Sequence, residues 1–184
     1  MTDGTSRFGC GRLNTRWPLM RKGGLPMVTT AVVAALTGAL LATPASGTLS
    51  STILARAAFV DAVDLKLKVN EGHQEVIHVP NSQDTLIQQV VLAPGGQSGW
   101  HSHPGPAVVL VKSGELTLYD ADSGSCVAHT YVAGQAFIDP GQGHAHLAKN
   151  LSTTSNTEMW LTYFDVPPGV TQRIDMPNPG TCPF

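Results

Sequence analysis

Gly99-Trp100-His101-Ser102-His103-Pro104-Gly105-Pro106-Ala107 is the stretch on which the fold of this chain turns. His101 and His103 are two residues apart, and on an extended strand residues two apart point to the same face. Two imidazoles on one face are half of a metal site. His144 and His146 repeat the spacing, so four of the chain's seven histidines lie in two His-x-His pairs. A turn borders each: Pro104-Gly105 after the first, Asp139-Pro140-Gly141-Gln142-Gly143 before the second. One pair alone reads as a solvated strand end. Two pairs joined by strand-like sequence read as a shared site. Imidazole suits Zn, Fe, Mn, Cu and Ni alike, so the ligands do not name the metal. Only neutral imidazole binds, so affinity falls as pH drops through the histidine range.

Outward from that stretch the sequence is strands and turns, with no helical period of apolar residues over any long window. Thr52–Phe59 reads as a first strand, and Val63–Val69 alternates with its odd positions apolar. Glu75–Val79 and Thr85–Ala93 follow, the latter closed by Pro94-Gly95-Gly96. Ala107–Val111 and Glu115–Tyr119 flank Lys112-Ser113-Gly114, a hairpin turn by composition. Val127–Val132, Ala136–Ile138, His144–Asn150 and Thr157–Val166 complete the set, and from Pro167 on the Pro and Gly content predicts irregular structure. Many short strands with regular turns predict an all-β sandwich or barrel.

The N-terminus reads as a leader. Arg21-Lys22, the apolar run Val28–Ala42 and the small residues Thr43-Pro44-Ala45-Ser46-Gly47 follow the order of a secretory signal peptide, with cleavage after Ala45 or Gly47. The run is shorter than the ~20 apolar residues of a membrane span. Met20 makes a more typical signal start than Met1. The expected organisation is therefore extension and signal over 1–47, a β-domain over 48–166 and a tail over 167–184. Without the leader six basic and twelve acidic residues remain, a balance that points away from nucleic acid and anionic membranes. Cys10 leaves with the leader. Cys126 and Cys182 are then an even pair in an exported domain, most simply a disulfide that ties the tail. A secreted or extracytoplasmic location follows.

Gly95-x5-His101-x-His103-x3-Ala107-x6-Gly114 resembles the first motif of the cupins, G-x5-H-x-H-x3-E-x6-G. Gly134-x5-Pro140 with His146-x3-Asn150 resembles the second. Small exported cupin-domain proteins of actinobacterial type, in the RmlC-like superfamily, are similar. The resemblance implies a single jelly-roll barrel, a double-stranded β-helix, with a divalent transition metal held by His101, His103 and His146. The chain departs from the pattern twice. The glutamate of the first motif is Ala107, and Glu115, beyond the turn glycine, is a poor substitute; one extra residue separates Pro140 from His146. His144 is then a fourth ligand, a neighbouring base or a rim residue, the last two readings being preferred. The resemblance implies either a metal-dependent enzyme of oxygenase type acting on a small molecule, or a non-catalytic small-molecule-binding or storage cupin without essential metal; it leaves room for a homodimer. Other residues read plainly: Trp100 packing outside the pocket, His73, His78 and His129 on the surface, and Asp139 in a turn. Gln88 and Gln89 lie in an apolar strand and read as a solvated face, the less favoured alternative being that one of them faces inward as a partner behind the site.

Overall fold

The computed structural model describes residues 42–71, 73–121 and 124–184. Among them there are twelve strands and no helix. The strands are β1 (Ser46–Ala57), β2 (Leu65–Glu71), β3 (His73–Val79), β4 (Asp84–Gln97), β5 (His101–Ser102) and β6 (Ala107–Ser113). They continue as β7 (Glu115–Asp120), β8 (Val127–Val132), β9 (Ala136–Asp139), β10 (His146–Lys149), β11 (Thr157–Val166) and β12 (Ile174–Asp175). The expected leader up to residue 41, with all of the apolar run Val28–Ala42 except its last residue, lies outside the described residues.

Ten strands form one sheet in the order β12-β5-β10-β4-β11-β6-β9, with β1 on β4, β7 on β10 and β8 on β7. Every pairing is antiparallel. Period-two alternation decides which face turns inward. In β11 Thr157, Met159, Leu161 and Tyr163 are buried while Trp160 between them is exposed. In β6 Ala107, Val109 and Val111 are buried and Leu110 is exposed. Ala107, Val109, Val111, Met159, Leu161 and Tyr163 meet Leu86, Leu92, Leu116, Phe137 and Ala148 in one core, so the sheet curls into a nearly closed barrel around them. The β2–β3 hairpin is a separate two-stranded sheet in register from Leu65↔Val79 to Glu71↔His73.

A second, smaller cluster lies on the other side of the β5–β10 strands. Trp100, Ala121, Leu147 and Cys182 are buried there, with Tyr119, Cys126 and Met176 against them. Trp100, 1% exposed, therefore packs outside the barrel interior, as its phase predicts. Cys126 and Cys182 are joined by a disulfide, with their Cα atoms 4.9 Å apart.

The structure differs from the sequence reading at both ends of the domain. The first strand opens at Ser46, which pairs with Gln97, ahead of the expected start. Ala42 bridges Pro177, and a Cβ on Gly99 would stand 2.1 Å from the Thr43 carbonyl oxygen. Residues 42–47, read as the small-residue end of a leader, thus pack on the barrel. Pro94-Gly95-Gly96 does not end its strand; β4 runs on to Gln97 through a register shift against β1, with Gly95 at φ +72°. The tail is not wholly irregular, because β12 within it pairs with β5.

Candidate metal centre

Three strand ends deliver the histidines. His101 on β5 is the registered cross-strand partner of His146 on β10, and paired residues share a face. His103 follows β5 by one residue and keeps the inward phase of His101. All three are buried, and one ring nitrogen from each lies within 4.8 Å of the others. The ring centroids are 4.3 Å apart for His101 and His146, 5.0 Å for His101 and His103 and 5.1 Å for His103 and His146.

Backbone carbonyls fix which nitrogen is free. His101 Nδ1 lies 2.9 Å from the Gly99 carbonyl oxygen and His103 Nδ1 lies 2.7 Å from that of Gln172. A carbonyl oxygen only accepts, so each Nδ1 carries the proton and donates it. Each Nε2 is left with its lone pair toward the cluster, the tautomer of a metal-ligating histidine held by a second hydrogen bond. His146 is likewise hydrogen-bonded to the backbone of His144. Burial, foremost, and then the neighbouring imidazoles hold His101 well below the usual histidine range, with Arg173 adding to the effect. Burial also lowers His146, although Asp139 pulls the other way.

Asp139 does more than the turn reading expects. It closes β9 and is 3% exposed. Its Oδ2 lies 3.0 Å from His146 Nε2 and 3.4 Å from His103 Nε2. Its Oδ1 accepts from the Gly141 N–H at 2.9 Å, which is the turn role. Burial alone would raise this carboxyl; the charge of His146 and the hydrogen bond and charge of His103 outweigh it and hold Asp139 below the usual carboxylate range.

The turn from Asp139 to His146 is locked onto the first motif. Gln142 N–H donates to the His103 carbonyl at 2.8 Å and Gly143 N–H to Ser102 Oγ at 3.1 Å. Gly141, at φ +61°, packs so closely that a Cβ would stand 2.0 Å from the Gly105 oxygen. His144 lies apart from the cluster. Its side chain is 40% exposed, with Nε2 3.9 Å from Glu75 Oε1 on the β2–β3 hairpin.

Beside the histidines lies a cavity of about 320 Å³. Its walls are mainly apolar, with Leu92, Val109, Leu116, Phe137, Met159 and Leu161 among them. Gln88 takes the less favoured of its two readings and faces inward: it is 6% exposed and lines this cavity. Its Oε1 accepts from Tyr163 Oη at 3.0 Å and from Gln172 Nε2 at 3.1 Å, and its Nε2 donates to Ser51 Oγ at 2.8 Å. Every polar atom of the buried amide oxygen and nitrogen pair thus has a partner, which makes its burial affordable. Burial, then the Asp139 charge, raises Tyr163 above its ordinary value, so its hydroxyl stays a donor. Gln89, one residue on, faces the other way and donates to Glu158 Oε1.

Residues 88–163, the segment that carries both histidine pairs, match the family model for a cupin domain. The barrel is a cupin jelly roll. No curated protein matches the chain. Similar solved structures include an oxalate oxidase, 28% identical over 50% of this chain and 46% of that one, with a TM-score of 0.42. A cupin domain from Bordetella pertussis Tohama I is 22% identical over 57% of this chain and 94% of its own, with a TM-score of 0.38. Vicilin from Capsicum annuum is 12% identical over 50% of this chain and 25% of its own, with a TM-score of 0.45. This chain spans less than half the length of the oxalate oxidase chains.

The buried histidines make the metal-free chain sensitive to acid. Unfolded, His101 and His146 titrate near 6.5. Folded, both titrate lower. Below about pH 6.5 the unfolded chain takes up protons that the folded chain refuses, so stability falls with pH, by at most about 1.4 kcal/mol per histidine per pH unit. Asp139 works in another window: its lowered folded value gives stability that is present above the unfolded carboxyl range near 3.9 and lost only as pH falls further. Scanning calorimetry of the chelator-treated chain should therefore show Tm falling between pH 7.5 and 5.5, whereas a flat Tm would mean that the histidines are not held neutral.

Proposed function

We propose that this cupin barrel holds one divalent transition metal ion through Nε2 of His101, His103 and His146 and acts on a small molecule in the adjoining cavity, by chemistry of oxygenase type. The observation that carries the reading is the convergence of three buried imidazoles, two of them fixed by backbone carbonyls with Nε2 turned inward. That donor set fits a transition metal rather than a hard cation such as Mg²⁺. When bound, such an ion supplies Lewis acidity and open positions for an incoming molecule.

The chain's own residues supply the rest. The apolar walls exclude water and accept the body of the molecule, while Gln88, Tyr163 and Arg173 offer polar contacts at its edge. Arg173 is held by Asp175 Oδ1 at 2.6 Å and the Ser98 carbonyl at 2.8 Å. Export is part of the proposal, supported by the basic-apolar-small order of residues 21–47 and by a disulfide in the mature region.

A second reading, a non-catalytic small-molecule-binding cupin, is favoured by the apolar character of most of the cavity wall. Calorimetric titration of the chelator-treated chain with Zn²⁺ and Mn²⁺ separates the two. The metal reading expects one ion per chain. Absence of stoichiometric uptake of either ion would leave the second reading in its place.

A further inference from the structure

We infer that Asp139 is the anionic ligand of this centre, delivered from the strand opposite the position where the first cupin motif carries its glutamate. The inference rests on the metal reading above. Position 107 holds alanine, fully buried on the inward face of β6. Ala107 is the registered antiparallel partner of Asp139 on β9. Side chains of such a pair stand on one face, with Cβ atoms roughly 4.5–5.5 Å apart. A carboxylate lost from β6 is thus replaced from β9, and the small alanine leaves room for it.

The geometry around Asp139 is that of a ligand. Donor atoms bound at ~2.0–2.2 Å to one ion stand roughly 2.8–3.6 Å from one another in octahedral or tetrahedral arrangement. Asp139 Oδ2 stands 3.0 Å from His146 Nε2 and 3.4 Å from His103 Nε2, inside that range. His103 donates its Nδ1 proton to the Gln172 carbonyl, so in the neutral ring that binds a metal its Nε2 presents a lone pair beside the carboxylate. Two such atoms in a buried space need a positive charge between them, a proton in the metal-free chain and the metal ion when it is bound.

The two oxygens divide the work. Oδ1 is pinned by the Gly141 N–H, and Gly141 is wedged against Gly105 on the segment that carries His103. Oδ2 is thereby held toward the histidines without a flexible side chain in between. One carboxylate among three neutral imidazoles also halves the buried charge of a divalent ion.

Asp139→Asn separates ligation from a structural role. Asparagine keeps the oxygen that accepts from Gly141, and its amide can donate to a histidine Nε2, so the metal-free fold should hold. Calorimetric titration of parent and Asp139→Asn with Zn²⁺, alongside thermal melts of both metal-free chains, is the test. The expected result is a loss of at least about 100-fold in affinity with Tm unchanged or raised. If the parent binds one ion and Asp139→Asn binds it within threefold, this inference is overturned while the histidine site stands. If the parent binds none, the metal reading itself has failed and takes this inference with it. Diffraction from parent crystals soaked in Zn²⁺ gives a second reading that needs no variant. Oδ2 should lie within ~2.2 Å of the ion; an ion on the histidines with both Asp139 oxygens beyond about 3 Å would overturn the assignment.

Discussion

His146→Ala is expected to abolish stoichiometric metal binding. His101 and His103 come from one short stretch of chain, so only His146 brings an imidazole from a different strand. Two neighbouring imidazoles are a weak chelate. Loss of a hydrogen-bond partner behind a ligand costs roughly 10–100-fold in affinity, and loss of the ligand itself should exceed that. His144→Ala is the matched control. Its side chain is 40% exposed and faces Glu75 rather than the cluster, so affinity should change less than tenfold. Titration of both variants with Zn²⁺, with circular dichroism to show that each is folded, gives the answer. Parent affinity in His146→Ala would remove the site. A larger loss in His144→Ala would mean that the second pair contributes its other member.

Replacing Cys126 and Cys182 together by serine should destabilise the chain by about 4 kcal/mol in the loop-closure model. The bridge spans 56 residues of sequence, so the unfolded chain it restrains is large. For a domain of this size the expected fall in Tm exceeds ~10 °C. The effect should reach the metal centre as well. Cys182 anchors a tail whose strand β12 pairs with β5, beside His101, and whose Gln172 carbonyl accepts the His103 Nδ1 proton. Loosening that tail frees His103 to rotate, so metal affinity should drop with stability. Thermal melts and titration of the double variant check both. A variant with parent Tm would show that the bridge does not restrain the tail.

The half-buried face of β2 was legible in the sequence because period-two alternation is local: Leu65, Leu67 and Val69 are partly buried and Lys66 and Lys68 between them are exposed. The two His-x-His pairs carry their own spacing, whereas the continuously apolar Ala107–Val111 does not show which of its residues turn inward. Asp139 was not legible. Asp-Pro-Gly reads as a turn, and that reading is half right, since Oδ1 does cap the turn at Gly141. What makes Oδ2 a member of the site is the pairing of β9 with β6, and register between strands far apart in sequence leaves no local trace. The preference for a solvated Gln88 failed for the same reason. Its partner Gln172 is 84 residues away, and without that partner a glutamine in an apolar strand is cheaper on the solvated face. The tail, rich in Pro and Gly, looked featureless because its role is to present one backbone carbonyl and one short strand, neither of which depends on a side-chain pattern.

The most direct measurement is elemental analysis of the protein purified from its native compartment without chelators, its histidine tag, if any, removed. A metal centre of His101, His103 and His146 predicts close to one equivalent of a single transition metal per chain, released by chelator and retaken on titration. A chain isolated without transition metal that takes up none on titration would contradict it.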